Sequence, residues 1–291
     1  MQITFPLNAR PVLGQNQLLA SLSSEAKRRI VPSLERVSFA LGEVVYEAGD
    51  AERFVYFPND CILSLLYVME NGKSTEISVI GNDGILGTTA LLGEGLSWSQ
   101  AVVQNAGSAY RMPGPVLQEE LHRHSELRWL TLRYMQSAMA QTAQVAACNR
   151  HHSIAQQLCR KLLFSLDRVA GDELTLTQEV IANTLGVRRE GVTEAAGMLR
   201  EMGAIDYRRG RIKVLDRARL EQLSCECYAA LNSESKRILP CEIAPAAAHE
   251  SSCATARSRP SSAGSRLPES TLLSYSQAAR LRRTGTGPVA R

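Results

Sequence analysis

The stretch LGVRREGVTEAAGMLREMGAIDYRRGRIKVLD, Leu185 to Asp216, decides how this chain is read. Gly186 permits a sharp turn after Leu185. From Arg189 to Met202 the apolar side chains Val192, Ala195 or Ala196, Leu199 and Met202 recur at three-and-four spacing, the period of a helix with one buried face. The opposite face carries Arg189, Glu190, Thr193, Glu194, Gly197 and Arg200. Gly191 and Gly197 each weaken such a helix by about 1 kcal/mol relative to alanine, so close approach of another body outweighs propensity there. Gly203 is placed as the helix stop. Ile205 and Tyr207, then Ile212 and Val214, alternate around Arg208-Arg209-Gly210-Arg211, which predicts a two-stranded hairpin with a basic tip.

Just upstream, Thr177 is positioned to cap a helix whose first turn holds Glu179 and whose inner face is Ile181, Ala182 and Leu185. Helix, tight turn, helix and basic hairpin together suit duplex DNA: the second helix fits the major groove and the hairpin meets phosphates. On this reading Arg189, Glu190, Thr193 and Glu194 read bases, while Arg188, Arg200, Arg208, Arg209 and Arg211 hold phosphates. A merely solvated helix has similar composition. The short turn and the adjacent basic hairpin separate the two readings.

Between Pro115 and Val169 no glycine interrupts a helical pattern. Within it Trp129, Leu132, Met135, Met139, Thr142 and Ala146 form a narrow stripe like a coiled-coil seam. A continuous helix of this length overhangs a domain roughly 30 Å wide unless a partner covers it. Residues 115–148 are therefore read as a dimerisation helix with Trp129, Leu132, Met135, Met139 and Thr142 in the seam. The alternative is a helix lying on its own β-domain.

Earlier still, QNQLLASLSSEAKRRIVPSL spaces Leu18, Leu19, Leu22, Ala26 and Ile30 as a helix ending near Pro32. Short runs rich in Val, Ile, Leu and Tyr follow: EVVYEAG, RFVYFPND, CILSLLYVM, STEISVIG, GILGTTALLG, SQAVVQN and SAYRMP. Turn signals separate them, with Asn71-Gly72 the best hairpin candidate. They predict a small antiparallel sandwich or roll over Val37–Met112.

A chain of 291 residues with 44% hydrophobic and 21% charged content has room for two domains. No apolar run approaches a membrane span, and the start lacks the order of a signal peptide, so a cytoplasmic protein without membrane contact is expected. The seven cysteines are irregularly spaced, which argues against disulfides. Cys225 and Cys227 sit one residue apart, closer than a usual zinc knuckle, and no second close pair completes a site. Cys148, His151 and His152 share a helical face that could ligate a metal, but no carboxylate or further cysteine lies near in sequence. Ordinary thiols, and no metal, are the expectation. From Ser251 onward seven arginines face Glu269 alone, so the net charge of +4 arises in that tail and the rest of the chain is not basic. DNA binding must then rest on local placement. The tail, rich in Ala, Ser, Pro and Arg, is expected to be disordered.

The segment LTQEVIANTLGVRREGVTEAAGMLREMGAI and, at the other end, LGEVVYEAGDAERFVYF resemble the CRP/FNR family of bacterial transcription regulators, and the similarity spans roughly residues 15–235. It implies an α+β fold: an N-terminal antiparallel β-roll of the double-stranded β-helix type, a long dimerisation helix and a C-terminal winged helix-turn-helix. The corresponding domains are a cyclic-nucleotide-binding-like sensor at 15–114, the helix at 115–148, the DNA-binding domain at 149–235 and the tail at 236–291. The resemblance implies a signal-controlled homodimer on double-stranded DNA with paired half-sites, and it allows RNA polymerase as a further partner. Arg189 and Glu190 match the family's recognition helix. Glu194 stands where it has a later arginine, and Arg188 where it has serine or threonine, so a different operator is expected. Gly87 matches the nucleotide-binding pattern, but Thr88 replaces its glutamate and Ser99 its arginine, which disfavours cyclic AMP. The first cysteine is Cys61, which disfavours the N-terminal iron–sulfur cluster of the oxygen sensors. No residue pattern names the effector.

Two other functional classes fit the sequence less well. An enzymatic or metal-binding β-domain would need histidines on strands, whereas His122, His124, His151 and His152 fall in the helical region and His249 in the tail. An architectural DNA-binding or interaction protein with no ligand would share the DNA-binding half.

Overall fold

The computed structural model describes residues 13–238, apart from 73, 92–94 and 170. Nearly all of the tail therefore lies outside the described residues. The N-terminal segment forms two short helices, α1 (Gln17–Ala20) and α2 (Ser24–Ile30), rather than one. The break arises because Ser23 caps a new helix, its side chain accepting from the Ala26 amide. Leu18, Leu19, Leu22, Ala26 and Ile30 are nonetheless all buried. The buried Asn16 side chain anchors them, accepting from the Leu18 and Leu19 amides and donating to the carbonyls of Pro58 and Gly84 at 2.9 and 3.0 Å.

The roll comprises β1 (Glu35–Phe39), β2 (Val44–Tyr46), β3 (Phe54–Pro58), β4 (Ile62–Val68), β5 (Ser74–Ile80), β6 (Gln100–Asn105) and β7 (Gly107–Pro113). Two antiparallel sheets form, in the orders β1-β7-β3 and β2-β6-β4-β5. The β4–β5 hairpin turns over Asn71-Gly72, with Gly72 at φ 77°. One expected strand is corrected. Among the described residues of GILGTTALLG only Leu86 bridges a strand, and Thr88–Leu91 is a 3-10 turn. The cause is Gly87, at φ 93°, where a Cβ would stand 2.5 Å from the Phe54 carbonyl oxygen.

The uninterrupted helical stretch is also corrected. It divides into α3 (Gly114–Arg123), α4 (Ser125–His151) and α5 (Ile154–Leu166). His124 and His152 adopt extended backbone at the joints. Glu126 helps fix the first joint by accepting from both the amide and hydroxyl of Ser23 at 2.6 and 2.8 Å. Ser153 and Gln156 form a reciprocal capping box at the second. At 27 residues α4 is about 40 Å long.

The C-terminal unit contains α6 (Gln178–Leu185), α7 (Arg189–Glu201), α8 (Arg217–Leu223) and α9 (Glu226–Ile238), with β8 (Glu173–Thr175), β9 (Ile205–Arg208) and β10 (Arg211–Val214). The hairpin gains a third strand, in the order β8-β10-β9. One core joins α5, α6, α7 and these strands through Leu158, Leu162, Ile181, Val192, Leu199, Ile205 and Ile212. Met202 does not join it. It caps the C-terminus of α7 and is largely exposed, which corrects its assignment to the inner face.

Buried charge ties this unit to the roll. Lys161 Nζ on α5 donates to Glu76 Oε1 on β5 at 2.6 Å, with the two side chains 3% and 5% exposed. Ser64, Gln104 and Thr184 surround the same carboxylate, Ser64 donating at 2.7 Å. Burial pulls the Lys161 ammonium below the ordinary lysine value, and Glu76 opposes that pull. Arg168 forms a second bridge, both nitrogens of its fork donating to Asp83. Breaking one partner of a buried pair typically costs about 3–5 kcal/mol, because the other charge stays desolvated. Lys161→Met should therefore lower urea-unfolding stability by about that amount, and adding Glu76→Gln should recover most of it. A loss below about 1 kcal/mol in the single variant would show that the pair does not bind the two halves.

Candidate nucleic-acid interface

Thr177 caps α6 through its hydroxyl, which accepts from the Val180 amide at 3.2 Å. Gly186 ends the helix at φ 66°, and Arg188, with extended backbone, starts α7 two residues later. This tight turn presents the N-terminal half of α7 outward. Arg188, Arg189, Glu190, Thr193 and Glu194 are all exposed, while Val192, Ala195, Ala196 and Leu199 face the core. Gln178 is a polar residue that the sequence reading passed over. Its Oε1 accepts from Thr193 Oγ1 at 3.0 Å and from Arg189 Nε at 3.5 Å, so the first turn of α6 orients two side chains of α7. Only spacing across the turn could have signalled it. The two glycines of α7 differ: at Gly191 a Cβ would stand 2.6 Å from Ile154 Cδ1, whereas at Gly197 it would meet nothing within 4 Å. Gly191 thus answers to packing within the chain, and Gly197 lies on the open face.

At the hairpin tip, Arg209 and Gly210 have φ of 50° and 78°, the handedness of a tight two-residue hairpin turn. Arg208 pairs with Asp206 at 3.1 Å and Arg211 with Glu173 at 3.4 Å, both exposed. Arg209, Arg188 and Arg200 form no ion pair among the described residues.

Residues 156–223 match the family described as Crp-like helix-turn-helix domain, and residues 36–124 match the cyclic nucleotide-binding domain. This chain belongs to the CRP/FNR family. The global nitrogen regulator of Synechococcus elongatus is 25% identical over 219 residues, covering 72% of this chain and 97% of that protein. Among solved structures, a CRP-family transcriptional regulator from Thermus thermophilus aligns with a TM-score of 0.54 at 24% identity, covering 65% of this chain and 96% of the other. FixK2 from Bradyrhizobium japonicum aligns at 0.56 and 16% identity, covering 66% and 98%. Like its family, this CRP/FNR protein is a DNA-binding transcription regulator. Among the described residues no helix is long and apolar enough to cross a membrane.

Among the described residues, Thr88 and Ser99 offer neither a carboxylate nor a cation where a cyclic nucleotide is expected to meet the regulator's roll. The turn after Gly87, where oriented amides would meet the anion, is already engaged: Thr89 N donates to Glu52 Oε2 at 3.1 Å. Ser99 is buried, and the Ser97 hydroxyl donates to its carbonyl at 2.6 Å and accepts from its amide at 3.3 Å. Burial together with Glu52 pushes the Tyr46 phenol far above the ordinary range. A cavity of about 340 Å³ beside Tyr46 and Glu52 is lined by Val45, Phe54 and Tyr56, and also by Asp50 and Arg53. Two carboxylates and one guanidinium make a poor anion site.

On α4, Trp129, Leu132 and Met139 are 61%, 49% and 74% exposed, Met135 is half-buried and Thr142 is exposed, its hydroxyl donating to the Ala138 carbonyl. The cysteine expectation is altered by the fold. Cys225 and Cys227, remote in sequence, pack against Cys148 and His152, while His151 is exposed. The sequence signal was present as Cys148-x3-His152 and Cys225-x-Cys227, but their meeting depends on α9 folding back onto α4. Given the roll's geometry, titration calorimetry with cyclic AMP should show no binding at micromolar concentrations. A micromolar Kd accompanied by tighter DNA binding would overturn that reading.

Proposed function

We propose that this regulator works in the cytoplasm as a homodimer, placing two copies of α7 in successive major grooves of a two-fold operator. Its role is regulatory rather than catalytic, with RNA polymerase as the machinery it meets at a promoter. The observation that carries the reading is the shared open face of Arg189, Glu190, Thr193 and Glu194 beside a wing tip whose Arg209 forms no ion pair among the described residues. In this reading Arg189 and Glu190 read bases with Thr193 and Glu194, and Arg188, Arg200, Arg208, Arg209 and Arg211 hold phosphates. A left-handed backbone costs a non-glycine residue roughly 1–2 kcal/mol, so an arginine kept there is supported by what its side chain does. Gly197, with open space above it, lets the helix sit deep against a groove. Dimerisation is supported by the apolar stripe along α4 of exposed Trp129, Leu132 and Met139 with half-buried Met135, the kind of surface that soluble chains cover. The roll then serves as a sensor for a ligand other than a cyclic nucleotide.

An arginine bidentate to guanine contributes about 1–3 kcal/mol of discrimination, whereas a phosphate contact adds affinity regardless of sequence. Arg189→Ala should weaken the selected operator by roughly that amount while barely changing random DNA. Arg209→Ala should weaken both alike and make the salt dependence shallower by about one unit of slope. If a folded Arg189→Ala protein retains its operator preference, α7 is not the reader.

The dimer seam has its own test. Met139 contributes little to its own chain's core, so Met139→Glu should leave the protomer folded while sedimentation shifts from dimer to monomer at micromolar concentration. A variant that stays dimeric would place the seam elsewhere.

A further inference from the structure

We propose that Cys148, His152, Cys225 and Cys227 form a tetrahedral site for one thiophilic divalent cation of the zinc class, joining the end of α4 to the start of α9. The four donor atoms all lie within 4.8 Å of one another. Cys148 Sγ and Cys225 Sγ are 3.5 Å apart, as are Cys227 Sγ and His152 Nδ1. Zinc bonds of about 2.3 Å to sulfur and about 2.0–2.1 Å to nitrogen, at a tetrahedral angle, put sulfurs ~3.8 Å apart and sulfur ~3.6 Å from nitrogen. The donors are therefore already spaced for one central ion, and too close together for a multinuclear cluster.

Local structure explains why they converge. Cys148 and His152 stand four residues apart, on one face of the last turn of α4, with His152 at the point where the helix ends. Cys225 precedes α9 and Cys227 lies in its first turn, where helix amides favour negative charge. Three of the four are buried and His152 is half-buried at the rim. The surroundings are those of a metal site rather than a thiol cluster. His152 turns Nδ1 toward the sulfurs because Nε2 faces Glu226 Oε1 at 3.2 Å, the carboxylate–histidine arrangement that orients an imidazole ligand. Gln144 Nε2 donates to Cys227 Sγ at 3.0 Å.

Charge balance points the same way. Three thiolates around a divalent ion carry one net negative charge, since binding releases the thiol protons. Arg160, 4% exposed, has an Nε without a hydrogen-bond partner and forms no ion pair among the described residues. Its Nη2 donates to Asn149 Oδ1 at 3.4 Å, which holds the guanidinium beside the residue that follows Cys148. With four protein ligands and no open position, the site is structural rather than catalytic. It would clamp the helix that bears the dimer seam to the DNA-binding unit.

The test uses full-length protein purified metal-free under reducing conditions, titrated with Zn²⁺ against a chromophoric chelator and, separately, with Co²⁺. One equivalent per chain and the visible spectrum of tetrahedral, thiolate-bound Co²⁺ are expected. Cys227→Ser and His152→Ala should each weaken binding by about 100-fold or more, and Cys159→Ser, another buried cysteine, should leave it unchanged. Should the ligand variants misfold, Glu226→Gln decides: its side chain is 79% exposed, so the fold should survive while affinity falls about 10–100-fold. Zn²⁺ should also raise the unfolding temperature of the wild type. Binding well below one equivalent, affinity indifferent to all of these substitutions, bound iron with acid-labile sulfide, or a Cys148–Cys225 disulfide in place of metal uptake would each overturn the proposal.

Discussion

The position of the recognition helix depends on a buried ammonium. Lys161 stands on α5, the helix around which the C-terminal core assembles, and its charge is neutralised by a carboxylate on a strand of the roll. Desolvating both groups offsets much of their attraction, so the pair adds little to stability compared with an apolar substitute. What it adds is geometry. Few arrangements of the two halves bring Nζ within 2.6 Å of Glu76 while Ser64, Gln104 and Thr184 satisfy the remaining oxygen. Any other arrangement leaves a charge stranded out of water. Strand β5 of the roll is thus in direct charge contact with the DNA-binding unit, and Arg168, seven residues beyond Lys161, repeats the link through Asp83 in the turn after β5.

At the DNA-binding surface, charges already engaged differ from charges that are free. Arg208 and Arg211 are held by carboxylates of their own sheet, so either would exchange one anion for another on meeting a phosphate. Among the described residues Arg209 has no carboxylate to exchange, and its left-handed backbone sits at the tip. From α6, Gln178 steadies Arg189 and Thr193 of α7, which would reduce the rotamer entropy lost on contact with a base. Glu194 interrupts the positive field of the same face, which in the proposed reading favours discrimination among bases over attraction to the backbone.

The parts legible from sequence were those whose physics is local. The period of Val192, Ala195 and Leu199, the glycine at 186 and the alternation around Arg209-Gly210 each specify a conformation within a few residues, and the structure has all three. The break at His124 was not legible, since neither proline nor glycine marks it; a hydrogen-bonded carboxylate reaching Ser23, about a hundred residues away in sequence, helps hold that corner. The loss of a strand after Leu86 follows from the approach of a carbonyl to Gly87, a tertiary fact. Met202 fell outside the core because the helix ended one residue before it. Gln178, Lys161 with Glu76, and the meeting of Cys148 with Cys225 all join residues that pattern analysis treats separately, and no periodicity encodes them.

The central claim is that two identical recognition helices read one duplex from the same side. Selection of bound duplexes from a random pool by the purified full-length protein tests it most directly. The account predicts enrichment of inverted half-sites whose centres lie about 10–10.5 base pairs apart, or a multiple of that. Enrichment of single unrepeated sites, of half-sites with irregular spacing, or of no sequence at all would contradict it.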